Sequence, residues 1–135
     1  MKSLEQPPHG KQIILVIDDE PVIRDLLCEV FDLDGFVAVP MGDADQAAAF
    51  LTRQAMEVAL ILTDVNMPGL MDGAALANHS RLLWPSIPVV VMSGLETLQS
   101  AGINTHMAFI QKPFSMEGIL NVVHRELGMV DRQLH

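Results

Sequence analysis

The chain has 135 residues, 50% hydrophobic and 19% charged, which excludes a disordered polymer and leaves room for one domain with its own core. Its formal charge is −9 with only eight Lys and Arg, scattered along the chain, which argues against nucleic acid as a direct partner. A single cysteine, Cys28, excludes an internal disulfide and suits a reducing compartment. No apolar run approaches a membrane span, and none follows Lys2 as a signal peptide would, so the expected location is cytoplasmic with no membrane partner.

Five short apolar runs alternate with helix-like segments: Ile13–Ile17, Phe36–Val39, Val58–Leu62, Val89–Met92 and Ala108–Ile110. Each is too short for a helix and most are nearly continuous in apolar character, as strands covered on both faces are. After the first run, Pro21 stands at a first helical position, Val22, Leu26, Val30 and Leu33 follow at helical spacing with Ile23 and Leu27, and Asp34–Gly35 closes the helix. A second helix opens at Asp43 with Gln46, a capping arrangement, and presents Ala44, Ala47, Ala48, Leu51 and Ala55 on one face. A third runs from about Ala74 to Trp84 and stops before Pro85, and a fourth, short and poorly patterned, falls at Leu95–Ala101 before Gly102. The last begins after Ser115, with Met116, Ile119, Leu120, Val123 and Leu127 on one side. Strand and helix alternate five times, which predicts parallel strands joined by right-handed crossovers.

Ligands of open parallel sheets sit at the carboxyl ends of the strands, so the residues that follow each run matter most. These are Asp18, Asp19 and Glu20 after the first, Asp64 after the third, Ser93 and Gly94 after the fourth, and Lys112 and Pro113 after the fifth; the second supplies only Pro40 and Met41. One aspartate at a strand end reads equally well as a helix cap. Acids, a hydroxyl and a lysine on four strand ends make a coherent chemistry. Clustered carboxylates repel, and a hard divalent cation with oxygen ligands relieves the repulsion. A carboxylate can attack phosphorus to form an aspartyl phosphate, which a lysine and a hydroxyl then neutralise and orient. Glu20 reads as a third acidic neighbour or as a helix-start residue, the latter favoured. Cys28 reads as a small core or helix-flank residue, the five histidines as surface or loop residues, the nine methionines as core filler, and Trp84 as packing at the end of the third helix.

In VIDDEP (16–21), TDVNMPG (63–69) with DG (72–73), VMSG (91–94) and QKPF (111–114), the chain closely resembles the receiver domain of bacterial two-component response regulators, over roughly residues 12–128. The resemblance implies a flavodoxin-like α/β fold, a doubly wound five-stranded parallel sheet in the order 2-1-3-4-5. It implies that Asp64 is the phosphoacceptor, that Asp18, Asp19 and Asp64 form an acidic pocket, and that Asp19 and Asp64 with the backbone carbonyl of Asn66 ligate Mg²⁺. It implies further that Ser93 is the switch hydroxyl, Lys112 the lysine paired with Asp64 or its phosphoryl group, and Phe109 the aromatic switch residue. The Lys112–Pro113 peptide is then expected to be cis. The implied partners are a histidine kinase or histidine phosphotransfer protein upstream and a downstream protein, with the chain a monomer or weak homodimer. Such a module phosphorylates and dephosphorylates itself and turns over no small molecule.

Two departures stand out. The loop MPGLMDG has one residue more between MP and DG than most receivers, and the stretch from Ser93 to Lys112 is short. Both traits resemble receivers associated with hybrid sensor kinases. Residues 1–11 and 129–135 read as tails around one domain at 12–128, and the expectation is a single-domain regulator, not an excised receiver. Two other readings stay open. One is a phosphorylation-independent interaction scaffold, against which the complete acidic pocket, Ser93 and Lys112 weigh. The other is an aspartyl-phosphate phosphatase, against which the spacing Asp18–Glu20 and the lack of a cap domain weigh.

Overall fold

The computed structural model describes residues 12–65, 71–94, 100, 102–103 and 107–129. Five strands, β1 (Ile13–Ile17), β2 (Val37–Met41), β3 (Val58–Asp64), β4 (Val89–Ser93) and β5 (Ala108–Gln111), form one parallel sheet in the order 2-1-3-4-5. Helices α1 (Pro21–Leu33), α2 (Ala44–Gln54), α3 (Gly73–Leu83) and α4 (Met116–Glu126) connect or follow them. Residues 95–99 and 101 of the helix expected at Leu95–Ala101 lie outside the described residues, as do the expected tail at 1–11 and residues 130–135 of the tail expected at 129–135, while Met129 is described and packs against the core of α1 and α4.

The near-continuous apolar strands follow from burial on two sides. Leu15, Ile17, Ile61, Val89 and Val91 point to one face and pack with Ala44, Ala47 and Leu51 of α2 and Leu76 and Ala77 of α3. Ile14, Val16, Leu60, Leu62, Val90 and Met92 point to the other and pack with Leu27 and Phe31 of α1 and Ile119 and Val123 of α4. Alternation is therefore present, but both alternating sets are apolar. Caps set the helix starts. The Asp43 carboxylate accepts the Gln46 N–H at 2.8 Å, the Asp72 carboxylate accepts the Ala75 N–H at 2.8 Å, and the Ser115 hydroxyl accepts the Gly118 N–H at 2.9 Å. Pro21 opens α1, and Gly35, at φ 97°, turns the chain out of it.

Several expectations need correction. The face of α1 that meets the sheet is Ile23, Leu27 and Phe31, while Val22, Leu26 and Leu33 of the apolar stripe read from the sequence are exposed. β2 does not stop at Val39; Pro40 lies inside it, paired with Val16, because β2 is an edge strand and a missing N–H can face outward there. Ala55 belongs to a 3₁₀ turn (Ala55–Glu57), and Trp84 caps the end of α3 with its ring 6.1 Å from that of His79. Met56 is fully exposed, so the methionines are not all core filler.

The topology places the site. The chain leaves β1 for β2 on one side and then crosses to β3 on the other, so α1 and α2 cover opposite faces and a crevice opens at the carboxyl ends of β1 and β3.

Candidate acidic site at the sheet edge

Each polar residue at a strand end is delivered by an apolar strand beneath it. Asp18 follows β1 and is fully buried; Asp64 is the last residue of β3 and Ser93 the last of β4, both buried; Asp19 is exposed. Strand β5 ends at Gln111, so Lys112 is the first residue beyond it, and its backbone N–H donates to the Ser93 carbonyl at 2.7 Å, tying the β4 and β5 ends together. The Lys112–Pro113 peptide is cis, as the resemblance implies.

Lys112 is the electrostatic hub. Its Nζ lies 3.2 Å from Asp64 Oδ2, 3.4 Å from Asp18 Oδ2 and 3.9 Å from Glu20 Oε1. Burial alone would lower the ammonium's pKa, but the charges of Asp64 and Asp18, with their hydrogen bonds, outweigh it and raise the pKa above the usual lysine value. Asp18, with no exposure at all, is tolerated because each of its oxygens is engaged. The Glu20 N–H donates to Oδ1 at 2.9 Å, Lys112 donates to Oδ2, and the Arg24 guanidinium donates to the backbone carbonyl at 3.0 Å. Both readings of Glu20 hold in part: it stands at the start of α1 and keeps a carboxylate within ion-pair distance of Lys112.

Among the described residues, Asp18, Asp19 and Asp64 each offer a carboxylate oxygen within 4.8 Å of the others. Three hard oxygen donors at that spacing fit a divalent cation of the Mg²⁺ or Ca²⁺ class and offer nothing a soft metal prefers. Asn66 lies outside the described residues. Phe109 sits on β5, paired with Val91 and packed at the margin of the core shared by α2 and α3.

Some of the arrangement is invisible to motif reading. A Cβ on Gly73 would overlap the carbonyl oxygen and carbon of Asp64, so α3 begins directly against the backbone of that aspartate. The Gly73 N–H donates to the Val65 carbonyl at 2.9 Å, and the Thr63 hydroxyl donates to the Asp64 carbonyl at 3.0 Å. The pair DG at 72–73 was the signal for this contact. His124, read as a surface residue, instead lies on α4 with Nε2 2.6 Å from Asp34 Oδ2, joining α4 to the end of α1. Cys28 is half-buried beside the core of α1, and burial, then Asp32 and Asp25, pushes its thiol from 9.0 up to about 11, as befits an inert flank residue.

An acidic crevice at the β1/β3 switch point with a lysine reaching in from the last strand defines a class, and the comparisons agree. Residues 14–124 match the family described as response regulator receiver domain, and the chain belongs to that family. It is 32% identical over 122 residues to sporulation initiation phosphotransferase F of Bacillus subtilis, covering 86% of this chain and 94% of that protein. It is 30% identical over 115 residues to response regulator protein FleR of Pseudomonas aeruginosa, covering 83% of this chain but only 24% of that protein, so the likeness there concerns about a quarter of the relative. The crystal structure of the receiver domain of NtrX from Brucella abortus superposes with a TM-score of 0.76 at 32% identity, covering 87% of this chain and 99% of that one. The fold expectation, a doubly wound parallel sheet in the order 2-1-3-4-5, holds in full. No helix among the described residues is long and apolar enough to cross a membrane.

Proposed function

We propose that this receiver takes a phosphoryl group on Asp64 from the phosphohistidine of a histidine kinase or a histidine phosphotransfer protein, in the cytoplasm, and that the charge so added switches the binding of a downstream protein. The observation that carries this is the Lys112 ammonium 3.2 Å from Asp64 Oδ2 in a pocket shared with Asp18 and Asp19. An Asp64 oxygen attacks phosphorus, the P–O bond forms as the P–N bond to the donor imidazole breaks, and the imidazole leaves with the bonding pair. Lys112 then exchanges a carboxylate for phosphoryl oxygens and holds them. Asp18, Asp19 and Asp64, with Asn66 two positions further along the sequence, would hold Mg²⁺, which when bound offsets the mutual repulsion of carboxylates and phosphoryl oxygens. Water attack on the acyl phosphate, releasing inorganic phosphate, returns the domain to rest.

The donor's approach has a natural path. A groove of about 480 Å³ opens beside Lys112, walled by Ile23, Leu26, Pro113, Phe114 and Met116, with Val22 exposed nearby. An apolar helix face carrying the donor histidine fits such a groove and would bring the phosphoryl group to the pocket rim. About two negative charges arriving at Asp64 would draw the Ser93 hydroxyl toward the phosphoryl oxygens, and Phe109, two residues before Gln111 on the same strand edge, would repack into the space released. Phe109 carries no hydroxyl, so packing alone governs its position. A passive scaffold has no use for a fully buried Asp18 that needs a lysine partner. The test is to phosphorylate the protein with a small acyl phosphate, trap it with borohydride, which reduces an aspartyl phosphate to homoserine, and sequence the peptides. Conversion at position 64 is expected; conversion elsewhere, or none in trapped samples, overturns the assignment.

A further inference from the structure

Arg24 belongs to no strand end, yet its guanidinium reaches back from the first turn of α1 to the acidic turn. Nη1 lies 3.0 Å from the Asp18 carbonyl oxygen. That oxygen belongs to the peptide unit joining Asp18 to Asp19. A peptide unit is planar, so holding its oxygen fixes the plane, and the plane sets how the two side chains diverge. Asp18 points into the protein and Asp19 outward, and with the peptide held in this orientation the three acids offer oxygens within 4.8 Å of one another. The other end of the same residue is already held, since the Asp18 N–H donates to the Met41 carbonyl at 3.2 Å.

The seat for the guanidinium is built on the far side too. A Cβ placed on Gly42, just past β2, would come within 3.2 Å of Arg24 Nη1, tighter than ordinary van der Waals contact. Gly42 thus leaves the room that Arg24 occupies between α1 and the end of β2. An arginine suits this role because its planar, permanently charged fork keeps a fixed direction, which a flexible ammonium does not.

We infer that Arg24 is a positioning residue for the cation site: it clamps the Asp18–Asp19 peptide, and Gly42 shapes its seat. This rests on the reading that the acidic cluster takes Mg²⁺. Partners one step removed from metal ligands contribute roughly 10- to 100-fold in metal affinity. A backbone clamp on one ligand belongs at the lower end of that range.

The experiment is titration of the full chain with magnesium by calorimetry, with far-UV circular dichroism confirming folding. Arg24→Ala should weaken Mg²⁺ binding about tenfold, and Arg24→Lys, which keeps one donor and the charge but not the fixed direction, should recover only a minor part of it. Gly42→Val, which touches neither carboxylate, should weaken binding about threefold in the wild-type background and not at all in the Arg24→Ala background. Should Arg24→Ala fail to fold, the Gly42→Val and Arg24→Lys affinities carry the test. Wild-type protein that binds Mg²⁺ beside an Arg24→Ala variant of unchanged affinity, or a Gly42→Val effect of equal size in both backgrounds, overturns the positioning role and leaves the cation site standing. Wild-type protein that binds no Mg²⁺ overturns both.

Discussion

Gly73→Ala is the sharpest structural perturbation available. Its added Cβ would overlap the Asp64 carbonyl oxygen and carbon and sit 3.0 Å from Val65 Cα, all of them backbone atoms that cannot rotate away. Overpacking typically costs 1–3 kcal/mol, and a clash with backbone falls at the top, about 3 kcal/mol. Alanine is the better helix former, but that gain is at most about 1 kcal/mol. The clash wins by about 2 kcal/mol, which in a domain of this size lowers Tm by roughly 6–8 °C. The displaced atoms belong to the proposed phosphoacceptor, so the rate of phosphorylation by acetyl phosphate should also fall, by about tenfold or more, as misplaced reacting groups do. Gly94→Ala is the control: nothing lies within 4 Å of its Cβ, and its Tm should move by no more than about 2 °C. Thermal unfolding and phosphorylation time courses on both variants decide the matter. A Gly73→Ala protein as stable as wild type, or one destabilised but phosphorylated at the wild-type rate, refutes the reasoning.

Three more outcomes are expected. Lys112 has its pKa raised by Asp64 and Asp18 against the pull of burial, so its ion pairs stabilise fully below the unfolded value of about 10.4 and fade as pH rises through the higher folded value. The difference in urea midpoint between wild type and Lys112→Met should therefore be flat from about pH 7 to 10 and shrink above it; shrinkage between pH 7 and 9 contradicts this. Cys28, with its thiol pushed up to about 11, should react with iodoacetamide at pH 8 about a hundredfold more slowly than in the urea-unfolded chain; a gap under tenfold contradicts it. Ser93→Ala should accept a phosphoryl group at nearly the wild-type rate but show smaller amide shift changes around Phe109 with beryllofluoride, and unchanged shifts relative to wild type contradict the switch role.

The fold was legible because five apolar runs and the helix starts agree at every level, from Pro21 at the first helix to Asp43 as a cap and Ser115 before the last, although the Asp72 cap of α3 was not read from the sequence. The inward face of α1 was not. Val22, Leu26 and Leu33 form one apolar stripe and Ile23, Leu27 and Phe31 another, one residue apart, and only the sheet decides which is buried. Pro40 hid the end of β2 because a proline argues against a strand unless the strand is known to be an edge. That Asp18, Asp64, Ser93 and Lys112 gather at one edge was legible because each stands where a strand ends. Their supports were less so. The pair His124–Asp34 spans 90 positions with no local signature, and Arg24 reads as one more polar residue on a helix until its contact with Asp18 is seen. The same holds for the close approach of Gly73 to Asp64, which a two-letter motif marks without explaining.

The central claim is that Asp64 carries a phosphoryl group with help from a divalent cation. Intact-protein mass after incubation with acetyl phosphate, with and without Mg²⁺, on wild type and Asp64→Asn, tests it most directly. One added phosphoryl group is expected in wild type with Mg²⁺, and none when either Mg²⁺ or Asp64 is removed. An adduct that persists in Asp64→Asn, or one that forms equally without Mg²⁺, contradicts it.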